Sequence, residues 1–123
     1  MMPWILGILA SLLFVAPAWA IDFTVTGASV TATYTEPTAN ADATPLTDLA
    51  KTNVYYQLPG QPAVKGPDVP ASRPQGGGVI STSVTVPVVA SQDLVVTFWA
   101  TATDTAQNES ARSVEVQRRI DRL

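Results

Sequence analysis

Four acidic residues and one arginine lie in polar, turn-forming stretches where side chains could do chemistry: Asp42, Asp48, Arg73, Asp104 and Glu109. Carboxylate oxygens are the ligands that Ca²⁺ takes in proteins, and a carboxylate pair can hydrolyse a glycosidic bond. An aspartate in a turn more often accepts hydrogen bonds from the backbone amides of that turn. The sequence favours this capping role for Asp104 and leaves calcium binding and catalysis as alternatives.

The chain contains no histidine and no cysteine. Ser-His and Cys-His nucleophiles, most zinc sites and disulfides are therefore excluded. An enzyme would have to work with carboxylates alone, so we predict that the chain is not an enzyme and uses no cofactor or metal. The net charge of −3 argues against a nucleic-acid partner, because no basic stripe is available to neutralise phosphates.

Short strands with alternating apolar and polar positions are expected to position these residues. In residues 94–120, two alternating runs flank a polar turn at 104–110, which is typical of a β-hairpin. Earlier strands are predicted from Phe23 to Thr35, over 53–58 and over 79–88, with an irregular, proline-rich edge at 61–75. The predicted core positions of the hairpin are Leu94, Val96, Phe98, Ala100, Ala102, Val114, Val116 and Ile120.

Two stretches resemble bacterial fibronectin type III domains. One spans residues 36–56 and contains EPT, NAD, TPLTDL and VYY, and the other is ATDTAQNES at 102–110. The resemblance covers residues 23 to about 116. It implies an all-β, immunoglobulin-like antiparallel sandwich of about seven strands, acting as a binding or spacer module with no catalytic residues.

The chain departs from this family at four positions. The family usually has tryptophan where Tyr34 stands, and glycine where Ala43 and Gln107 stand. The position of its corner tyrosine is occupied by Val96, which cannot donate a hydrogen bond. These differences indicate a divergent member with adjusted loops.

The implied fold also predicts which side chains meet. The loops before residues 53 and 79 gather at one end with the hairpin turn. Asp42 and Asp48 are therefore expected near Asp104 and Glu109, with Arg73 close by, as candidate loop-end contacts.

A second candidate site lies on the outward side of the hairpin. The last-but-one strand of this fold runs beside the third, which predicts that Trp99 and Tyr55 are neighbours on an exposed face, flanked by Thr97 and Thr101. Such a pair could stack a sugar ring or start a protein interface. The alternative is an ordinary cross-strand aromatic pair that stabilises the sheet.

Residues 1–20 differ from the rest of the chain, because they carry no charged side chain and combine an apolar run with Ala18-Trp19-Ala20. This pattern predicts a signal peptide, a helix that is cleaved after Ala20. The alternative is an uncleaved membrane anchor over residues 3–21, which approaches the length needed to cross a bilayer.

The predicted organisation is a signal peptide at 1–20, a fibronectin type III-like domain at 21–117 and a basic tail at 118–123. We expect a secreted or periplasmic bacterial module that binds an unidentified protein or polysaccharide. The alternative function is that of a membrane-anchored or assembled structural spacer.

Overall fold

Alternating strand sequences form two antiparallel sheets that pack face to face in the computed structural model of the chain. The structure describes residues 21–40 and 43–123. These residues form seven strands: β1 (Ile21–Thr26), β2 (Ser29–Thr35), β3 (Leu49–Gln57), β4 (Val64–Pro70), β5 (Val79–Thr85), β6 (Asp93–Asp104) and β7 (Val116–Asp121). One sheet has the order β1-β2-β5 and the other the order β4-β3-β6-β7. The predicted all-β sandwich is confirmed.

The predicted signal peptide at 1–20 and Asp42 lie outside the described residues. Within the part of the chain that the structure describes, no helix has the length and hydrophobicity needed to span a membrane.

The core lies between the two sheets and is formed by the inward set of each alternating strand. In β6 the predicted core residues Val96, Phe98, Ala100 and Ala102 are all completely buried. The Phe98 ring stacks on Phe23 of the other sheet, with 5.1 Å between ring centroids. A polar link crosses the same interior, because the hydroxyl groups of Tyr34 and Thr52 lie 2.5 Å apart. The core side of the predicted hairpin is therefore confirmed along β6.

The second arm of the hairpin differs from the prediction. Val114 is 57% exposed, whereas the sequence pattern placed it in the core. The Ser110 amide donates to the Ala102 carbonyl and the Ser113 amide to the Ala100 carbonyl, so three residues on one side oppose two on the other. This extra residue is a bulge, and it reverses which side chains face inward. A second extra residue precedes Val116, which stands opposite Phe98, and it returns Val116 and Ile120 to the predicted inner side.

Three arginines near the C-terminus join the last strand to the rest of the sandwich. Arg118 lies in β7 and donates from Nε to the Phe23 carbonyl of β1 at 3.0 Å. Arg119 forms an ion pair with Asp93, and Arg122 donates to the Val88 carbonyl at 2.8 Å. The prediction of a separate basic tail at 118–123 is wrong, since most of that segment is strand.

A buried carboxylate ties the end of β2 to the loop that precedes β5. Glu36 is only 2% exposed, and its Oε1 accepts hydrogen bonds from the Ser72 hydroxyl at 2.5 Å and the Gly78 amide at 3.0 Å. Its Oε2 accepts from the Ser72 amide at 2.9 Å.

A Cβ on Gly76, which has a φ of +70°, would lie 1.9 Å from the Pro37 carbonyl oxygen. Only glycine therefore fits where the loop passes Pro37, just after the end of β2.

Replacing Glu36 with alanine should lower the free energy of unfolding by about 2–4 kcal/mol, because two backbone amides and a hydroxyl lose their acceptor in a buried site. Denaturant unfolding of the variant beside wild type measures this difference. The matched control is Asp22→Ala, which removes an exposed carboxylate from β1. Equal stability losses in the two variants would show that Glu36 does not anchor the loop.

Candidate functional site

The predicted aromatic pair lies on the outer face of the four-stranded sheet. Tyr55 of β3 stands opposite Trp99 of β6, and the rings are stacked with centroids 5.6 Å apart and an interplanar angle of 8°. The Arg112 guanidinium carbon lies 4.1 Å from the Trp99 ring centroid, a cation–π contact. The two aromatic residues are neighbours, as the sequence predicted. Their expected exposure is wrong for Trp99, which is only 3% exposed.

Trp99 is buried because the connection after β6 returns along the strand. The bulged segment at 109–115 pairs irregularly with β6 and carries Arg112 over the tryptophan. Arg112 is itself held by Glu115, with a 2.6 Å ion pair. Arg112 thus covers the indole surface that the sequence offered for stacking a sugar.

Glu109 closes a polar network beside this stack. Its Oε2 accepts hydrogen bonds from the Tyr55 hydroxyl and the Thr101 hydroxyl, both at 2.6 Å. Asn53 donates from Nδ2 to the hydroxyl oxygens of Thr101 and Thr103, each at 3.0 Å. The Asn53 amide oxygen is buried and has no hydrogen-bond partner among the described residues, so the network is one donor short. Thr101, another predicted contact residue, is buried inside this network and is 5% exposed.

The network also changes the acidity of its phenol. Partial burial, followed by the hydrogen bond to the Glu109 carboxylate and the charge of that carboxylate, raises the pKa of Tyr55 to about 12. The hydroxyl is therefore held as a neutral donor at all physiological pH values.

The predicted loop-end residues are not assembled into one cluster. Asp104 Oδ1 accepts hydrogen bonds from the Ala106 and Asn108 amides, both at 2.9 Å, and Oδ2 accepts from the Asn108 side chain at 3.1 Å. This is the capping role that the sequence favoured for Asp104. Arg73 donates to the Gly76 carbonyl within its own loop.

The remaining acidic residues of that set are used elsewhere. The Asp48 carbonyl accepts from the Thr105 amide at 3.0 Å, so this residue joins the two loops through its backbone. Glu109 belongs to the Tyr55 network, and Asp42 lies outside the described residues. Among residues 21–40 and 43–123, no three acidic side chains come together in a way that could hold a metal ion.

An open groove lies next to the closed stack, and the sequence did not predict it. Its volume is about 530 Å³. The register places Gln57 of β3 opposite Thr97 of β6, and Thr97 opposite Gln117 of β7, so these side chains form one row across three strands. Val95 lies beside this row and is 47% exposed. The groove is lined by Gln57, Leu58, Pro59, Gly60, Gln61, Val95, Thr97 and Gln117.

Thr97 is the one residue of the predicted contact face that borders the groove. The Gln57 side chain donates to the Gln61 carbonyl at 3.0 Å, which fixes its amide and leaves its oxygen as an acceptor. The alternating sequences of β3 and β6 indicate that Gln57 and Thr97 face outward. They do not indicate which part of the outer face is left uncovered.

The chain is a two-sheet antiparallel β-sandwich. On the outer face of the four-stranded sheet, Arg112 covers Trp99, whereas the groove beside Thr97 is open. No family model matches the chain, and no curated protein matches it. A solved structure of superoxide reductase in the oxidized state is similar, with 7% sequence identity and a TM-score of 0.49, over 84% of this chain and 86% of the other.

This match contradicts the prediction that the chain is not an enzyme, because the similar structure is that of a reductase. The prediction is withdrawn. At 7% identity and a TM-score of 0.49, the similarity carries neither an activity nor a residue role over to this chain.

The raised pKa of Tyr55 predicts a loss of stability in alkali. The folded state favours the neutral phenol of Tyr55 and is stabilised by it. This stabilisation is fully present below the ordinary pKa of 10.0 and is lost as the pH rises through about 12. Denaturant unfolding over that interval should show the loss in wild type and a smaller loss in Tyr55→Phe.

Glu109→Ala tests the cause of this shift. Titration of tyrosinate absorbance should show a pKa for Tyr55 that is lower than in wild type but still above 10.0, since partial burial remains. Tyr55→Phe, which removes the same signal, identifies the transition. An unchanged transition in Glu109→Ala would mean that Glu109 does not hold this phenol.

Proposed function

We propose that the chain is an exported fibronectin type III-like module that binds a neutral polar partner, protein or carbohydrate, through the groove beside the Tyr55–Trp99 stack. The row of Gln57, Thr97 and Gln117 carries the proposal. Its amides and hydroxyl both donate and accept hydrogen bonds, which suits sugar hydroxyls or peptide groups. None of the described residues that line the groove is charged, so an ionic ligand would find no counter-charge among them.

The neighbouring stack supports this role by holding the row in place. Tyr55 and Trp99 are fixed by stacking, by Arg112 and by Glu109, so the strands that carry Gln57 and Thr97 are rigid. A binding site on rigid strands loses little conformational entropy when a ligand binds. Exposed Val95 adds an apolar surface, as in sites where polar groups set orientation and apolar ones contribute affinity.

Two observations support the fibronectin type III-like type of the sandwich. Ala43 and Gln107 both have a φ of 70°, a left-handed conformation that favours glycine, and these are the positions where the family usually has glycine. In addition, β4 pairs with β3 and not with β5, so the order differs from that of constant-type immunoglobulin domains.

Removing the groove amides should weaken binding at least about tenfold, which is about 1.4 kcal/mol, because the ligand loses donors and acceptors on both sides of Thr97. The test is Gln57→Ala with Gln117→Ala in one chain, measured by pull-down from the native envelope and on an array of polysaccharides. The matched control is Thr33→Ala, an exposed residue on β2 of the other sheet. Unchanged binding by a correctly folded double variant would contradict the proposed groove.

The exported location has a separate test. N-terminal sequencing of the protein taken from the cell envelope should start at Ile21, because signal peptidase accepts the small residues Ala18 and Ala20. A chain that retains Met1 in the membrane fraction would instead support the anchored alternative.

A further inference from the structure

In residues 21–40 and 43–123, four strands lie at the edges of the two sheets: β1 and β5 in one, β4 and β7 in the other. An open edge presents a row of backbone N–H and C=O groups that can pair with another chain. Proteins block such edges with proline, charged side chains, bulges or covering groups. The edges of this sandwich differ sharply in these protections.

The edges of the four-stranded sheet are both protected. β4 contains Pro67 and Pro70. Its Asp68 forms salt bridges with Lys65 of the same strand and with Lys51 of β3. Its pairing with β3 is also interrupted by a register shift. β7 carries a run of charged residues, and its Arg119 is paired with Asp93.

The β1 edge of the smaller sheet is covered as well. Arg118 reaches across from β7 and donates to the Phe23 carbonyl at 3.0 Å. β1 also contains a charged residue, Asp22. A further strand could not pair there without displacing the guanidinium.

Among the described residues, β5 has no proline, no charged side chain and no bulge, and β4 of the other sheet lies next to it without pairing. The sequence of β5, VISTSVT, contains no charged residue and no proline, and its pairing with β2 has no register shift. In the described part of the chain, β2 is the only strand that pairs with it. The stretch is rich in β-branched residues and uncharged, which are the properties that favour pairing between strands of separate chains.

The hydrogen-bond pattern shows which groups of β5 face the open edge. The Val86 amide donates to the Ala28 carbonyl, and the Glu36 amide donates to the Gly78 carbonyl. In an antiparallel ladder the bonded pairs alternate, so even-numbered residues of β5 bond to β2. The N–H and C=O groups of Ser81 and Ser83, and of the residues at either end of the strand, therefore point away from the sheet.

We infer that this edge is a homotypic interface, in which β5 pairs antiparallel with β5 of a second copy about a two-fold axis at Thr82. The sequence of the strand is nearly symmetric about that residue, with Ser81 matching Ser83, Ile80 matching Val84 and Val79 matching Thr85. Each side chain would thus meet one of similar size and polarity, as an isologous interface requires.

The pairing uses the groups that are open. Ser81 of one copy faces Ser83 of the second copy, and both have outward-pointing backbone groups, so they can exchange two hydrogen bonds. The inward-facing Ile80 and Val84 of the two copies extend the hydrophobic layer across the junction. The result is one continuous six-stranded sheet, and no charge is brought into contact although each chain carries −3.

Sedimentation velocity over a range of concentrations tests the inference. The sample is the full protein, purified in its naturally processed form. Wild type should be a dimer that dissociates on dilution. Ser81→Lys and Ser83→Glu should each raise the dissociation constant at least about tenfold, because like charges of the two copies lie about 7–8 Å apart diagonally across the axis. Mixing these two variants should restore the dimer, since the Thr82 axis sets one lysine directly opposite one glutamate.

Thr24→Lys, which adds the same charge to an exposed residue of β1, is the matched control and should leave the dimer intact. Hydrogen exchange gives a second readout: the Ser81 and Ser83 amides should be protected at high concentration and exchange faster on dilution. A monomer at all concentrations, a dimer that Ser81→Lys leaves unchanged, or amide protection that does not vary with concentration would each overturn the inference.

Discussion

The second half of β6 is buried on both of its faces, and much of the sandwich is arranged around that burial. Every residue from Phe98 to Asp104 is buried. On the inner side, Ala100 and Ala102 are small, so the opposing sheet can pack closely. On the outer side, the hydroxyl of Thr101 has to find partners, because a buried polar group without a hydrogen bond destabilises the fold by about 1–3 kcal/mol. Glu109 and Asn53 supply those partners.

The outer face of β6 is covered along one half of the strand and open along the other. The covered half is structural, and the open half is the candidate binding surface. Beyond Trp99 the outer face is covered by the bulged connection and by Arg112. Before it, Thr97 and Val95 line an open groove. For the proposed binding function, the closed half would be a rigid support for the open half, so that no binding energy would be used to order the strands.

Sequence reasoning predicted the inner face of this fold well and its outer face poorly. The alternation of β2 and β6 identified their core residues because hydrophobic burial acts on each strand with a period of two. Val114 was misplaced because a single extra residue reverses that period, and nothing in the local sequence marks the bulge. The burial of Trp99 depends on a cation from thirteen positions further along the chain, Arg112. The alternation of apolar and polar residues along a strand cannot predict a contact such as that of Arg112 with Trp99.

Glu36 shows a different limit. The sequence marks it only as the residue before Pro37 at a strand end, which predicts a turn. Its role as a buried acceptor depends on Ser72 and Gly78, which are brought close by tertiary structure alone. Conversely, the capping role of Asp104 was predicted correctly because both amides it accepts from lie within four residues.

The bond between Arg118 and the Phe23 carbonyl has a consequence for how the chain acquires its structure. The two residues are 95 positions apart, and the strand that carries Arg118 is the last of the sandwich. A ribosome exposes β1 long before it exposes β7, so the growing chain cannot close the two sheets along this side until β7 has emerged. Late closure of distant contacts also makes folding slow.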